Sequence, residues 1–501
     1  MYRGLLLFFL IFVSPLASSE PPCTIDIVLW FDTEDYILPA SDDAAMQLAT
    51  WLSEQNIPAT FKVVGEKART LERRKRFDVI EALKKHEIGY HSNWHSIPPS
   101  PAQYLEHCHW QEGIAEFSRR EKPGYDDVER IFGQKPTCYG QPGSSWAPHS
   151  HVALHQWGMR IYFDAGSHVN VEGKPFYYGG LLNFYRLTHL QRTGLLYAHE
   201  LEMAKIQFLR SRDQLLAEKG GVISIVYHPC EFVHQQFWDG VNFKYGANPP
   251  RESWKLPPQK SAAETKLAFD NFQQYILFMK RFPEVRFVTV SEAAQRYVDI
   301  LQKKSWTLTE VKHLASAVLQ DWDSKGIHWV SCSGGILSPA EVFWLATHSI
   351  TTSTEEVCQQ LPALIQGPGR ASHRVPSYEA IRPTQMELQR AAQDIQDYLT
   401  EHRQIPAEVW LGSRAITPEQ YLLLAIKHLS GKPLKLEKEP ELVTKRYVSD
   451  DHPSLWKWVI FPTGFSAPQL MAQAKRQAWN LKPALRSQSS PHSPGISNSQ
   501  P

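Results

Sequence analysis

Residues 25–35 read Ile-Asp-Ile-Val-Leu-Trp-Phe-Asp-Thr-Glu-Asp, an apolar run that ends in three carboxylates. The part over 25–31 has the β-branched and aromatic residues of a buried strand. Carboxylates this close repel one another unless water or a positive group lies among them, and a metal ion is the simplest such group. We therefore expect a metal ion at the end of a buried first strand.

Strand and helix patterns alternate from this strand to about residue 298. Strands are predicted over 25–31, 59–63, 161–163, 222–227 and 285–290, and helices over 44–55, 78–85, 102–117, 151–157 and 262–281. This alternation is typical of an α/β fold built from βα layers or closed into a barrel, rather than of an all-β sandwich. In such folds the functional side chains gather where the strands end.

A second cluster, His91-Ser92-Asn93-Trp94-His95, places two histidines four residues apart. On a helical turn this spacing puts both imidazoles on one side, as metal chelation requires. In a chain with 21 histidines the spacing alone is more often incidental. Together with the acidic cluster on an upstream strand, it predicts a metal site.

The apolar strand over 222–227 is followed directly by His228 and Pro229. The pKa of an unperturbed histidine lies near neutrality, which makes His228 a candidate general acid. A histidine at a strand end can also simply cap a loop.

These elements, in this order, resemble the NodB-type polysaccharide deacetylases, carbohydrate esterase family four. The resemblance covers roughly residues 24 to 300, within a predicted catalytic domain over 24–302. It includes the run Asn56-Ile57-Pro58-Ala59-Thr60-Phe61, which is usual after the first helix of that family. The resemblance implies a distorted (β/α) barrel, a divalent metal ion, commonly zinc, and hydrolysis of acetyl groups on a polysaccharide.

The family's motifs also imply roles for individual residues. The implied metal ligands are Glu34, with Asp35 as its alternative, His91 and His95. The implied acid–base residues are Asp32 as base, His228 as acid and Asp164 as the residue that holds the acid. The usual first motif has two adjacent acids, whereas this chain has Asp-Thr-Glu-Asp, so the choice of Glu34 follows relatives with an Asp-x-Glu/Asp pattern.

The third motif departs from the family. It reads Arg-x-Pro there, with the arginine holding the base, and the matching residues here are Gly140-Gln141-Pro142-Gly143. Either Gln141 or a residue from elsewhere takes over that role, or activity is reduced, or the chain is a binding relic. The backbone N–H groups after Pro142 are candidates for oxyanion stabilisation, so Gln141, Pro142 and Gly143 are candidate substrate contacts.

Residues 303–430 contain two similar helical segments. In each, a helix is followed by a good N-cap and N1 pair, Ser338-Pro339 in the first and Thr417-Pro418 in the second. The unit resembles the pseudomurein-binding repeat, which implies attachment to a cell-wall or other extracellular glycan. The alternative is a helical accessory domain packed on the barrel. Residues 431–486 are predicted as a helical extension, and 487–501 as a disordered tail.

Residues 1–19 have the basic, apolar and small-residue zones of a secretory signal peptide. We therefore expect a secreted, periplasmic or cell-wall-associated protein with no membrane span after cleavage. In an oxidising compartment its six cysteines could pair. A formal net charge of +1 offers no broad basic field for nucleic acid.

The combined prediction is a metal-dependent polysaccharide deacetylase, with zinc as the expected divalent ion and an acetylated polysaccharide or cell-wall glycan as its partner. Two alternatives stay open. One is a glycan-binding protein with weak or no activity, which the missing arginine favours. The other is a metal-free carbon–nitrogen hydrolase of the same fold, although such relatives typically lack the histidine pair.

Overall fold

A computed structural model describes residues 23–487, except 195, 359 and 373–379, and of Cys358 only the backbone. The predicted signal peptide over 1–19 and the predicted tail beyond Ser487 lie outside the described residues. Within them, no helix combines the length and apolar character needed to cross a membrane.

The strands in chain order are β1 Ile25–Thr33, β2 Thr60–Val63, β3 Glu87–Tyr90, β4 Cys138–Tyr139, β5 Ile161–Asp164, β6 Phe176–Tyr178, β7 Leu181–Tyr185, β8 Leu190–Gln191, β9 Gly221–Tyr227, β10 Val285–Val288, β11 Trp306–Thr307, β12 Val330–Cys332, β13 Gly335–Leu337, β14 Glu356–Cys358, β15 Val409–Leu411, β16 Arg414–Ile416 and β17 Lys482–Pro483.

The helices are α1 Ala40–Glu54, α2 Gly65–Arg73, α3 Phe77–Leu83, α4 Pro101–Leu105, α5 Trp110–Phe132, α6 His149–Gln156, α7 Ala198–Ala217, α8 Trp238–Asn242, α9 Ala262–Met279, α10 Val290–Ala294, α11 Leu308–Lys325, α12 Pro339–Thr351, α13 Gln385–His402, α14 Pro418–Leu429 and α15 Pro468–Gln477.

One large sheet holds the order β17, β6, β7, β5, β4, β3, β2, β1, β9, β8, and β10 pairs with the first half of β1. Most neighbours are parallel, while β6 is antiparallel to both β7 and β17. The curled, mostly parallel sheet with helices on both sides confirms the predicted distorted (β/α) barrel.

Strand β1 shows how the two faces of the sheet differ. Ile27, Leu29 and Phe31 pack in the large core with helices α1 and α9, whereas Val28 and Trp30 lie in a smaller core on the opposite face. Because side chains alternate along a strand, Asp32 falls on the face of Val28 and Trp30. That face leads to the functional cavity.

Two predicted elements differ from the structure. The helix predicted over 102–117 is two helices, α4 and α5, and α5 begins after His109, whose backbone N–H donates to Glu112 at 3.1 Å. The strand predicted over 285–290 ends at Val288, because Thr289 caps α10 by accepting the N–H of Glu292 at 3.2 Å. In both places a side chain that bonds the backbone favours a helix start over continuation of the element.

The helical C-terminal region contains the two predicted copies. The first is α11, the hairpin β12–β13 and α12, and the second is α13, the hairpin β15–β16 and α14. Ser338 and Thr417 cap the second helix of each copy, as predicted. The hairpins were not predicted, because strands of three residues are too short to show alternation.

The segment predicted as a helical extension, 431–486, contains one α-helix, α15, and otherwise short turns. Its strand β17 joins the large sheet beside β6. Leu470 and Ala474 pack in the core of the barrel, whereas Trp479 packs in the core of the repeats. The segment therefore contacts both cores.

The expectation that the cysteines pair is not met among the residues whose side chains are described. Cys23, Cys108, Cys138, Cys230 and Cys332 are free thiols. Cys138 in β4 and Cys230 in the turn after β9 are fully buried in the packing of different elements. They act as small core residues.

Candidate metal centre and active site

The candidate site lies at the carboxyl ends of the parallel strands, around a cavity of about 540 Å³. Asp32 is near the end of β1, His91 directly follows β3, and His228 directly follows β9. Parallel strands present their carboxyl ends at one edge of the sheet, so these distant parts of the sequence meet there.

Glu34, His91 and His95 form a buried triad at this edge. Glu34 Oε2 lies 3.2 Å from His91 Nε2 and 2.9 Å from His95 Nε2. One possible ligand atom from each residue lies within 4.8 Å of the other two. The structure thus brings together the three residues that the sequence analysis assigned as ligands.

The segment from His91 to His95 is not the helical turn on which its spacing was interpreted. Ser92 and His95 have left-handed backbone angles, with φ of 68° and 55°. Ser92 Oγ accepts a hydrogen bond from the His95 N–H at 3.0 Å, which stabilises the turn. The two imidazole centres lie 4.9 Å apart, so an irregular turn achieves the convergence expected of a helix.

In each member of the triad, the polar atom that faces away from the other two makes a further contact. His91 Nδ1 donates to the carbonyl of Gly140 at 3.0 Å, and His95 Nδ1 lies 2.7 Å from Ser96 Oγ. Trp238 Nε1 donates to Glu34 Oε1 at 2.8 Å. These contacts leave Nε2 of both histidines and Oε2 of Glu34 facing one another, as in protein metal sites whose ligands are oriented by outer partners.

The triad fits a divalent ion. His95 Nε2 is buried and has no hydrogen-bond partner among the described residues, although Glu34 Oε2 lies close by. Burial opposes ionisation of Glu34, but His95, His228 and His91 outweigh it and hold its pKa well below the ordinary value. An ionised carboxylate with two imidazoles suits zinc and other first-row divalent ions.

Asp35, the alternative to Glu34, faces elsewhere. Its Oδ1 accepts the N–H groups of Ile37 at 2.8 Å and Leu38 at 3.2 Å, and its Oδ2 lies 2.9 Å from His234 Nε2. Asp35 therefore fixes the loop that leads into α1. Of the two alternatives, only Glu34 faces the histidine pair.

Asp32 lies beside the triad among three positive or potentially positive groups. Its Oδ1 is 2.9 Å from Lys62 Nζ and 3.6 Å from His91 Nε2, and its Oδ2 is 3.6 Å from His228 Nε2. Burial alone would raise the pKa of Asp32, but His91, Lys62 and His228 together lower it below the ordinary value. Asp32 is therefore an ionised carboxylate that can accept a proton.

His228 is held by Glu231 and not by the predicted Asp164. His228 Nδ1 lies 3.1 Å from Glu231 Oε2, and Glu231 is also paired with Arg192. Burial opposes protonation of His228, but Glu231 and Glu34 outweigh it and raise its pKa to about 9. His228 is therefore protonated at neutral pH. Asp164, the last residue of β5, instead lies 3.1 Å from Lys62 Nζ.

Gln141 does not take the place of the missing arginine. Its Oε1 accepts hydrogen bonds from Tyr162 at 2.8 Å and Tyr185 at 3.2 Å, and its Nε2 donates to the carbonyl of Gly143 at 3.3 Å. The carbonyl of Pro142 accepts the N–H of Ser145 at 2.9 Å. Gln141 and Gly143 line the cavity, and the hydrogen bond between them stabilises the turn at Pro142.

One wall of the cavity comes from the C-terminal segment. Trp458 Nε1 donates to Asp239 Oδ2 at 2.7 Å, and its ring centre lies 5.1 Å from that of His95. A Cβ at Gly143, where φ is 51°, would lie 2.3 Å from the Trp458 ring, so a glycine is needed for this close approach. The cavity is therefore completed by a residue far outside the predicted catalytic domain.

Sequence reasoning missed four residues of the site, namely Lys62, Glu231, Trp238 as the support of Glu34, and Trp458. Two of them carried a signal. Lys62 is a charged residue inside an apolar strand, which requires a buried partner. Glu231 follows His228 by three residues across a proline that starts a turn, a spacing that brings the two side chains together. Trp458 had no local signal.

No protein-family model matches the sequence, and no curated protein matches it. Three solved structures are similar in part. An inferred polysaccharide deacetylase of Mycobacterium smegmatis has 15% identity and a TM-score of 0.35, covering 56% of this chain and 91% of that one. The Bc1960 peptidoglycan N-acetylglucosamine deacetylase has 15% identity and a TM-score of 0.28, covering 55% and 91%. The PuuE allantoinase has 14% identity and a TM-score of 0.34, covering 56% and 93%.

Proposed function

We propose that this chain is a metal-dependent deacetylase that removes N- or O-acetyl groups from an extracellular or cell-wall polysaccharide. The observation that carries the proposal is a single cavity in which a carboxylate and two histidines face an ionised aspartate and a protonated histidine. This combination offers a metal site, a base and an acid within one pocket.

Glu34, His91 and His95 would hold the divalent ion, and zinc is the first choice for this ligand set. When bound, such an ion supplies Lewis-acid polarisation of a carbonyl and lowers the pKa of water. The buried contacts of Trp238, Ser96 and the Gly140 carbonyl keep the ligand atoms aimed at the common point.

The chain's own residues supply the proton transfers. Asp32 accepts a proton from the water that forms the new bond to the acetyl carbon. His228, kept protonated by Glu231, gives its proton to the sugar nitrogen or oxygen as the bond to the acetyl carbon breaks, and acetate is released. The backbone N–H of Gly143 is the candidate donor to the carbonyl oxygen as negative charge develops there.

The walls of the cavity support a glycan as the substrate class. The half-buried rings of Phe237 and Trp458 line it, and aromatic faces of this kind stack on sugar rings. Together with the predicted signal peptide, this favours a glycan substrate and a secreted, periplasmic or cell-wall-associated protein.

The repeats are proposed to bind the same glycan. The two copies each present a hairpin between helices, and Trp410 on the second hairpin is 47% exposed. Binding to a wall polymer would raise the local substrate concentration by tethering. Co-sedimentation of the full chain with insoluble cell-wall glycan, with and without soluble competitor, tests the proposal. A chain that stays in the supernatant would refute it.

Metal content and acetate release together test the enzymatic proposal. We expect the purified chain to hold about one divalent ion, measured by elemental analysis, and to release acetate from at least one of acetylated peptidoglycan, chitin oligomers or acetylated xylan. Asp32→Asn should keep the ion and lose acetate release by at least about 100-fold, because the base is removed. Asp43→Asn, at a 65% exposed aspartate of α1, is the matched control.

Each other outcome indicates a different function. A chain that binds no divalent ion would refute the proposed metal centre and favour a metal-free hydrolase. A chain that binds the ion but releases acetate from none of these glycans would favour a glycan-binding protein without activity.

A further inference from the structure

We propose that Lys62 positions the base Asp32, and that glycine at position 140 is what allows it to do so. The inference rests on the proposed function for its catalytic consequence, because Asp32 is a base only if the chain is a hydrolase. Lys62 touches none of the reacting atoms and is therefore a positioning residue.

Lys62 is a fully buried cation whose ammonium has three neighbours. Nζ lies 2.9 Å from Asp32 Oδ1, 3.1 Å from Asp164 Oδ2 and 3.0 Å from the carbonyl of Phe163. The ammonium donates hydrogen bonds to Asp164 Oδ2 and to the Phe163 carbonyl, and it forms a close ion pair with Asp32 Oδ1. The ring centre of Trp30 lies 4.1 Å from Nζ and closes the remaining side. The ammonium is thus held in one place.

The sheet dictates this contact. Lys62 in β2 is the direct register partner of Asp32 in β1. Its neighbours Phe61 and Val63 pack in the outer core with the helices, so Lys62 points to the opposite face, where Asp32 also lies. Directly paired residues on one face have adjacent side chains, which fixes the distance between the two charges through the backbone.

Position 140 makes room for the ammonium. A Cβ at Gly140 would lie 2.0 Å from Lys62 Nζ and 2.5 Å from Asp164 Oδ2. Any side chain there would overlap the lysine head group. This is also the position at which the resembling family has its arginine, so Lys62 occupies the space in which that arginine side chain would begin. The cation comes instead from β2, which is separated by β3 from the strand that ends just before Gly140.

Loss of Lys62 would release Asp32. The remaining neighbours of the aspartate are His91 and His228, each at 3.6 Å. Without the ammonium, the carboxylate is free to turn away from its present place toward His228. This change removes a correctly placed base, whereas the contacts that hold Glu34, His91 and His95 do not involve Lys62.

The test compares Lys62→Met with a variant in which the cation is moved. Lys62→Met should fold, bind one zinc ion per chain in titration with zinc alone, and lose about 100-fold in kcat with little change in KM. Lys62→Ala combined with Gly140→Arg should recover at least about tenfold in kcat over Lys62→Ala, because the arginine restores a cation beside Asp32. Lys266→Met, at a 75% exposed lysine, is the control.

Gly140→Ala shifts the Lys62 ammonium without removing its charge. Its methyl group overlaps Lys62 Nζ, so it should lower kcat by about tenfold while zinc binding and folding persist. If Lys62→Met fails to fold, Gly140→Ala still tests whether Lys62 positions Asp32. A folded, zinc-loaded Lys62→Met with wild-type kcat, or a Gly140→Ala with wild-type kcat, would overturn the inference.

A double-mutant cycle gives a readout that does not need activity. The losses in unfolding free energy of Lys62→Met and Asp32→Asn should not add, because each removes the same ion pair. Gly140→Ala replaces Lys62→Met in the cycle if the latter does not fold. If the wild type binds no zinc and releases no acetate, the proposed function fails while the cycle still tests Lys62. Additive losses would refute the pairing itself.

Discussion

The charge on His228 depends chiefly on Glu231, three residues further along the chain. Its pKa is raised from 6.5 to about 9, with Glu231 as the main cause of the increase against the opposing effect of burial. A raised pKa in the folded state means that protonation stabilises the fold below about 6.5, and that this contribution is lost as the pH rises through about 9.

Glu231→Gln should therefore lower the pKa of His228 toward its ordinary value. NMR titration of the imidazole in the metal-free protein measures this directly. In the zinc-loaded protein the loss of activity at alkaline pH should begin at a lower pH. The reason is that His228, the proposed acid, would be deprotonated at a lower pH. Glu202→Gln, at a 65% exposed glutamate of α7, is the control. An unchanged pKa of His228 would show that Glu231 does not set its charge.

At the scale of residues, the convergence of Glu34, His91 and His95 was predictable because these residues carry their own signals. Glu34, His91 and His95 stand in short motifs at strand ends. Asp164 was assigned to the wrong neighbour, since a motif does not specify which way the side chain of its last strand residue turns. The lysine of β2 needed the strand register before its partner could be known.

Helix α8 begins with a side chain that holds Glu34, one of the proposed metal ligands. Trp238 is fully buried, and its Nε1 donates to Glu34 Oε1, the carboxylate oxygen that faces away from the histidines. Partners of this kind orient the ligand and tune its donor strength. The position of the first residue of α8 therefore bears on metal affinity.

Trp238→Phe should keep most of the buried ring and lose the hydrogen bond to Glu34. We expect the zinc dissociation constant to rise by about 10- to 100-fold, measured by competition with a chelating dye. Trp254→Phe is the matched control, because Trp254 Nε1 donates to the carbonyl of Pro249 at 3.1 Å in the same region. Equal zinc affinity in the two variants would contradict the assigned role of Trp238.

At the scale of elements, prediction succeeds for long periodic segments and fails for short ones. Helices α1 and α9 lie close to their predicted bounds, because each spans several turns of apolar periodicity. Strand β4 has two residues, and each strand of the hairpins in the repeats has three. Strands this short show no alternation of apolar and polar residues. They form because the packing around them pairs their backbones.

At the scale of the whole molecule, the C-terminal segment completes a site built by the N-terminal barrel. Trp458 bonds Asp239, packs against the His95 ring and lies over Gly143. Trp458 is more than 350 residues from the first three strands in the sequence, yet it forms one wall of the cavity at their ends. It is placed to contact the substrate without touching the proposed acid or base.

Trp458→Ala should therefore weaken substrate binding more than catalysis. We expect KM for the acetylated glycan to rise by about threefold to tenfold, as expected for the loss of one aromatic contact, with zinc content unchanged. Steady-state kinetics with Phe77→Ala as the exposed control measures this. A fall in kcat at constant KM would instead indicate that Trp458 supports the triad through His95.

The overall architecture was predictable because alternation of strands and helices restricts the fold to a few classes, and the duplicated helix starts reveal the repeats. The route of residues 431–487 was not. Its contacts with β6, with both cores and with the cavity are long-range, and nothing in its local composition specifies them. Packing of the complete chain determines its path.

The position of Trp458 also has a consequence for the timing of biosynthesis. Chains emerge from the ribosome from the N-terminus, and domains fold in that order. Asp32, Lys62 and the pair His91 and His95 emerge first, and Trp458, which forms one wall of their cavity, emerges more than 350 residues later. A barrel without the segment around Trp458 would thus hold its polar groups in an open cleft, and the pocket would be completed only after this segment has been made.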